Sequence, residues 1–239
     1  MAIDPRRAAD ELEARLRALG TRERSEHERR YLKSELAHHG ATVWQIRREV
    51  KSFAKEHPQL SHGELVALVQ ALWAKSVHER RLAATLLLEA YPELVAPGDL
   101  PLLERLIRES KTWAYVDGLA ANVIGGLLVR SPRTAPKLDR WAKDSDFWVR
   151  RSALLSQIKP LRAGAPFARF GRYADAMLDE KEFFIRKAIG WVLRETAKTR
   201  PDEVFEWLAP RVGRASGVTK REAVKYLKPG QRSALEPGK

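Results

Sequence analysis

Apolar residues recur at three- and four-residue spacing through most of this chain, with few helix-breaking residues inside the runs. That spacing places them on one face of an α-helix, and the alternation of a half-buried strand is nearly absent. Helix-start signals precede several runs, and glycines stand where helices are expected to stop. The start signals are Asp4-Pro5, Ser61 with Glu64, Ser131-Pro132 and Arg200-Pro201, and the stop signals are Gly20, Gly40 and Gly213. The sequence therefore predicts an all-α protein.

The helical segments also carry an internal repeat. A basic residue that precedes a small or apolar residue three places on recurs at steps of 34 and 36 residues. The residues at this repeat position are Arg47, Arg81, Asp117, Arg151, Lys187 and Arg221. A period near 35 is typical of a HEAT-like or tetratricopeptide α-solenoid, in which each helix pair packs only against its neighbours. We predict about six repeats in a single curved domain over residues 1–228 with a basic concave groove, and a disordered, breaker-rich tail over residues 229–239.

Asp117 is the one acidic residue at the repeat position. At about 100° per residue, the places three after and four before this position turn toward the core, and the place four after it turns away. On this geometry Trp191 faces away from the core, whereas burial statistics favour Trp113 as a core residue. Trp113 and Asp117 are four residues apart and share a helix face. The residues alone leave Asp117 open between a functional carboxylate and a structural ion pair with Arg81 or Arg151.

The charge balance indicates a polyanionic partner. The chain has 44 Lys and Arg against 31 Asp and Glu, a net charge of +13. Basic residues that neutralise phosphates release condensed counterions, although a merely solvated basic surface is the alternative. Basic residues at a fixed repeat position form a ribbon along one face of a solenoid, on which a duplex can lie.

Other classes of chemistry find no support in the sequence. The absence of cysteine excludes disulfides, thiolate zinc sites and cysteine nucleophiles. His78-Glu79 is followed one turn later by Leu82 rather than by a second histidine, and His38 and His39 are adjacent, so neither pair shares a helix face as metal ligands do. Phosphate-binding glycine motifs are missing, and solvated helix ends are expected for His27, His57 and His62. We therefore predict no metal and no nucleotide cofactor.

The expected location follows from two further absences. The sequence has no run of 18 apolar residues and no charged-then-apolar leader. We expect a cytoplasmic protein with no membrane partner.

Four segments are more specific than the repeat itself. They are LWAKSVHERRLAA, ESKTWAYVDGLA, FWVRRSALLSQIK and EFFIRKAIGWVLRETAKTRPDEV. They resemble the AlkD-type alkylpurine DNA glycosylases, bacterial HEAT-like repeat enzymes that remove alkylated bases from DNA. The resemblance runs from about Tyr31 to Leu227, and its W-x-x-V-D and AIGWVLRE elements are specific to that family.

The resemblance implies a site. In it Trp113 and Trp191 flank the damaged nucleotide and Asp117 is the catalytic carboxylate. Arg151 contacts the backbone near the lesion and belongs to the catalytic group. The further implied DNA contacts are Lys159, Arg194, Lys187 and Tyr31. The chain departs from the family at Ala114, where an acidic residue usually follows the first tryptophan.

The implied activity is that of a monofunctional DNA glycosylase for cationic N3- and N7-alkylated purines in double-stranded DNA. Neither the W-x-x-V-D element nor AIGWVL contains a lysine for a Schiff base. We expect a bacterial monomer that needs no cofactor and joins the nucleoid when bound to DNA. Two alternatives stay open, a catalytically silent HEAT-like DNA-binding or scaffold protein, and a specialised relative that excises bulky minor-groove purine adducts.

Overall fold

A computed structural model describes residues 3–235 of the chain. Within this range the structure is helical, and the only β pairing is an isolated parallel bridge between Ala37 and Val77. The predicted all-α fold is confirmed. None of the helices in the described range combines the length and the apolar character needed to cross a membrane.

The helices follow one another along the chain with short connections. They are α1 (Pro5–Leu19), α2 (Arg22–Leu32), α3 (Val43–Glu56), α4 (His62–Ala74), α5 (His78–Ala90), α6 (Leu100–Ser110), α7 (Trp113–Asp117), α8 (Gly125–Arg130), α9 (Ala135–Trp141), α10 (Phe147–Leu155), α11 (Ile158–Arg162), α12 (Ala168–Ala176), α13 (Phe183–Ala197), α14 (Pro201–Leu208), α15 (Gly217–Ala223) and α16 (Pro229–Leu235). A π-helical segment, Gly118–Ile124, joins α7 directly to α8.

Three of the four predicted helix starts are borne out, whereas Ser131-Pro132 begins a single 3-10 turn, Pro132–Thr134, and no α-helix. The Asp4 carboxylate accepts the backbone N–H of Arg6 at 2.9 Å at the start of α1. Ser61 and Glu64 form the reciprocal capping box of α4. Pro201 is the first residue of α14, where its missing N–H costs no helical hydrogen bond.

The predicted helix stop at Gly40 is wrong. Gly40 does not end a helix, because α2 already stops at Leu32, where Lys33 takes the left-handed conformation (φ 49°). Gly40 lies in the connection to α3 with φ +87°, which favours glycine. Residues 229–235 form the short helix α16, in which Leu235 is buried. Residues 236–239 of the predicted tail lie outside the described residues.

The internal repeat corresponds to a series of helices. Their first residues are Val43, His78, Trp113, Phe147, Phe183 and Gly217, 34 to 36 residues apart. Each helix carries the repeat position near the end of its first turn. The residue three places further is buried in all but the last, as predicted for the core direction.

The predicted directions of side chains four residues before and four residues after the repeat position are wrong in several helices. The residues four after the repeat position include buried Thr85, Ala121 and Leu155, which were expected to face away from the core. For α5 the reason is that it packs against α1, α3, α4 and α7, so more than one face is covered. Val43 and Phe183, four before the repeat position, are 42% and 50% exposed. They are the first residues of their helices, and no preceding turn covers them.

The chain divides into two compact units. The first unit comprises the residues up to Pro101 together with Thr112–Leu119, and the second comprises Leu102–Lys111 together with the residues from Ala120 onward. In the first unit α5 is the central helix, and in the second α13 packs against α10, α11, α14 and α15. The single domain over residues 1–228 stays a prediction.

Candidate functional site

Helix α7 brings two predicted site residues onto one face. Trp113 is its first residue and Asp117 its last, one turn further on. Side chains four apart on a helix lie above one another, and both of these are half-buried. Tyr115, between them, points the other way and is fully buried. The helix therefore presents an indole and a carboxylate together.

Buried contacts fix α7 in the first unit. The Thr112 hydroxyl caps it by accepting the backbone N–H of Ala114 at 3.3 Å. The Tyr115 hydroxyl lies 2.6 Å from Nδ1 of His78, and its ring meets the Trp73 ring edge-on at 5.7 Å. Burial raises the pKa of Tyr115 and lowers the pKa of His78 to about 4, so both groups are uncharged at neutral pH. A buried contact between a tyrosine and a histidine therefore supports α7 from beneath.

The residue after Asp117 sets how closely α7 approaches α5. A Cβ atom on Gly118 would lie 2.9 Å from Oε1 of Glu89 and 3.0 Å from Cγ2 of Thr85. These distances are shorter than ordinary carbon contacts, so the approach requires glycine. The π-helical segment Gly118–Ile124 begins here, and such segments are frequent at functional sites.

Tyr31 joins Trp113 in the first unit. It lies near the end of α2, is 67% exposed, and meets the Trp113 ring edge-on with 6.0 Å between centroids. Trp113 is therefore not enclosed in the core as its residue type suggested, because it opens α7 and packs against an exposed tyrosine. The first unit thus brings together three of the predicted site residues, Tyr31, Trp113 and Asp117.

Two predicted DNA contacts of the second unit differ in accessibility. Arg151 on α10 is only 2% exposed, donates a hydrogen bond to the backbone oxygen of Phe184, and lies 5.7 Å from the Phe184 ring. Lys187 on α13 is exposed, with Nζ 5.7 Å from the ring of half-exposed Phe183. The geometry makes Lys187 the more accessible cation for a phosphate and Arg151 a buried anchor.

The remaining predicted residues of the second unit are half-buried. Nζ of Lys159 donates to the backbone oxygen of Asn122 at 2.8 Å. Arg194 forms an ion pair with Glu222, so a phosphate would have to compete with that carboxylate. Trp191 lies on α13, which packs against α15, and its side chain is partly accessible.

Sequence reasoning missed the residues that hold α7 in place. Thr112 directly before the W-x-x-V-D element is a recognisable capping signal. The contact between Tyr115 and His78 joins residues 37 positions apart and has no local signal. The close approach at Gly118 likewise depends on which helix lies opposite.

Comparisons with known proteins agree with this fold. Solved structures that share it include a predicted DNA alkylation repair enzyme from Enterococcus faecalis, at 24% identity and a TM-score of 0.76 over 88% of this chain and 97% of that one. AlkD2 from Streptococcus mutans has 14% identity and a TM-score of 0.66 over 94% and 100% of the two chains. The smu.31 protein of Streptococcus mutans UA159 has 17% identity and a TM-score of 0.59 over 78% and 98%.

Sequence comparison goes further than the fold. No curated protein has a sequence that matches this chain. The model of the DNA alkylation repair enzyme family, however, matches residues 12–227, which covers both α7 and all the predicted site residues. A match over most of the chain shows that it belongs to the DNA alkylation repair enzyme family.

Proposed function

We propose that this chain is a monofunctional DNA glycosylase that hydrolyses the N-glycosidic bond of cationic N3- or N7-alkylated purines in duplex DNA. The observation that carries the proposal is the arrangement on α7. Trp113 and Asp117 lie one turn apart on it, and the exposed Tyr31 ring packs edge-on against Trp113. A half-buried carboxylate beside aromatic faces suits a reaction in which positive charge develops on a sugar.

The chemistry requires little of the protein. Alkylation at N3 or N7 gives the purine a positive charge, so the electrons of the C1′–N9 bond neutralise it and the base leaves without a general acid. Positive charge develops at C1′, where the Asp117 carboxylate stabilises it. The oxygen of a water molecule then bonds to C1′, and its proton passes to Asp117 or to solvent. The products are a free alkylpurine and an abasic site.

The aromatic residues and the basic residues have separate parts in this proposal. The faces of Trp113 and Tyr31 attract a cation through their quadrupoles. Trp191 supplies a partly accessible aromatic face in the second unit. Lys187 binds a phosphate directly, while Arg151 orders the backbone around Phe184. The net charge of +13 supports binding to DNA without any demand for base-specific contacts.

The test is the release of free base from a defined duplex. The protein is incubated with a duplex that contains one N7-methylguanine and with a matched unmodified duplex, and free base is measured by mass spectrometry. We expect 7-methylguanine and an equal amount of abasic sites from the first duplex only. Borohydride is expected to trap no covalent complex, because the proposed reaction forms no Schiff base.

Two other results would point to the alternatives. Salt-dependent duplex binding without release of any alkylated base would indicate a catalytically silent DNA-binding protein. Release from a bulky N3-purine adduct but not from N7-methylguanine would indicate a specialised enzyme.

A further inference from the structure

Three potential metal ligands from separate segments meet inside the first unit. Glu28 comes from α2, His38 from the connection that follows it, and His78 from the first residue of α5. One ligand atom from each lies within 4.8 Å of the others. The two imidazole rings stack at 4.5 Å, and Nε2 of His78 is 4.0 Å from Oε1 of Glu28. Spacing along the sequence does not reveal this group, since the three residues lie on no common helix.

The polar atoms of this cluster lack partners. Oε2 of Glu28, both ring nitrogens of His38 and Nε2 of His78 are buried and have no hydrogen-bond partner among residues 3–235. Buried polar groups in native proteins are almost always satisfied by protein, water or an ion. Unsatisfied atoms on all three residues of one cluster indicate that something outside the chain satisfies them.

We propose that Glu28, His38 and His78 bind a divalent zinc ion. Two imidazole nitrogens and one carboxylate oxygen form a donor set that suits a borderline metal such as Zn²⁺, and a water molecule completes a tetrahedron. The site is separate from Trp113 and Asp117 on α7, and the prediction of no metal considered only spacing along a helix.

Neighbouring groups already orient the ligands. The Tyr115 hydroxyl lies 2.6 Å from Nδ1 of His78, which fixes the ring and leaves Nε2 for the metal. Arg24 donates a hydrogen bond to Oε1 of Glu28 at 3.4 Å, which leaves Oε2 to bind the metal. Such outer contacts are the usual companions of histidine and carboxylate ligands.

The segment that carries His38 is also held in place. The Glu79 carboxylate accepts the backbone N–H of His39 at 2.9 Å and that of Gly40 at 2.7 Å. These hydrogen bonds fix the backbone next to His38.

Metal binding requires a small local adjustment. Bonds of about 2.1 Å in a tetrahedron place ligand atoms about 3.4 Å apart, which is closer than the 4.8 Å limit within which these atoms lie. The His38 and His78 rings are within 6° of parallel, so one ring must turn to aim its lone pair at a shared ion. His38 can turn, because neither of its nitrogens holds a hydrogen bond to residues 3–235.

Occupancy of this site would join α2, the His38 segment and α5, and through Tyr115 also α7. Zinc therefore stabilises the first unit, whether or not the chain excises bases. A ligand that binds only the folded state raises the thermal midpoint as its concentration rises.

The test uses the full chain without an affinity tag, stripped with a chelator and dialysed. Calorimetric titration with zinc chloride is expected to show one site per chain, and added zinc is expected to raise the thermal midpoint. Glu28→Gln and His38→Asn should each weaken binding by at least about tenfold, and Tyr115→Phe by about tenfold through the loss of the outer contact. The matched control is His27→Ala, which removes the exposed histidine next to Glu28 and should change nothing.

Cobalt provides a second readout that does not depend on stability. Co²⁺ bound to the stripped protein should give the visible spectrum of a tetrahedral site, and His38→Asn should abolish it. Circular dichroism establishes that each variant is folded. The proposal is overturned if the wild type neither binds zinc stoichiometrically nor responds to it in melting, which would mean that the cluster holds water only. It is equally overturned if folded Glu28→Gln and His38→Asn bind as tightly as the wild type, or if His27→Ala weakens binding as much as they do.

Discussion

Replacing Gly118 with alanine tests whether the contact between α7 and α5 positions Asp117. The added methyl group would lie 2.9 Å from Oε1 of Glu89 and 3.0 Å from Cγ2 of Thr85. The Glu89 side chain can swing away, but Thr85 is β-branched and only 1% exposed. The strain therefore falls on α7, which must move away from Thr85.

Two effects of opposite sign act on the free energy of unfolding, whereas only one effect acts on the rate of excision. Alanine is favoured over glycine within a helix by about 1 kcal/mol, whereas overpacking a tight contact costs about 1 to 3 kcal/mol. The free energy of unfolding should therefore fall by about 0 to 2 kcal/mol. Relief of the contact moves α7 by about half an ångström, and since a misplacement of about 1 Å can cost about 100-fold, excision should slow by about tenfold.

The assay measures base release at saturating enzyme beside denaturant melts. Gly118→Ala is compared with Gly118→Ala/Thr85→Ser, in which loss of the Thr85 methyl makes room while the hydroxyl that donates to Arg81 is kept. The double variant should recover most of the rate. The control is Gly63→Ala in the first turn of α4, where the added methyl meets nothing within 4 Å beyond its chain neighbours and the helix's own backbone. If Gly118→Ala is more stable than the wild type and excises at the same rate, the contact does not position Asp117.

Three further outcomes follow from the structure. Trp113→Ala should cost less stability than Trp141→Ala, because Trp113 is half-buried while Trp141 is 1% exposed. Truncation of a buried tryptophan costs about 3 to 5 kcal/mol. Denaturant melts that rank the two variants the other way would contradict the assigned burial. Lys187→Ala should reduce the slope of log K for duplex binding against log salt by about 0.9, the value for one phosphate; an unchanged slope in a salt titration would remove Lys187 from the interface. Hydrogen bonds from Arg108 hold the pKa of Asp144 below its ordinary value, so the ion pair stabilises the fold above the unfolded pKa of about 3.9 and loses its effect as the pH falls through the lower folded pKa. Asp144→Asn should flatten this acid dependence of the melting midpoint. An unaltered acid profile would contradict a stabilising role for the Arg108–Asp144 ion pair.

The sequence was informative wherever the signal was local. Ser61 and Glu64 specify a capping box within four residues, and the structure contains it. The repeat position recurs in successive helices because each helix begins at nearly the same place in its repeat. The shared face of Trp113 and Asp117 follows from helical geometry alone.

The rest depended on what lies opposite each helix. A helical wheel gives one direction for the core, but α5 is covered on several sides, and so Thr85 is buried where exposure was expected. The wheel also ignores helix ends, which explains the exposed Phe183. Local spacing could not reveal that His38 and His78 meet in space, because tertiary packing alone joins them.

The central claim is that the Asp117 carboxylate stabilises the charged sugar, and Asp117→Asn tests it most directly. The substitution keeps the shape of the side chain and removes its charge. Excision of N7-methylguanine should fall by at least about 100-fold, the scale for loss of one electrostatic partner of a transition state, while the melting midpoint and duplex affinity stay close to those of the wild type. Glu23→Gln, which removes an exposed acid from α2, controls for the added net charge and should retain full activity. An Asp117→Asn protein that is folded, binds duplex and releases base at the wild-type rate would contradict the account.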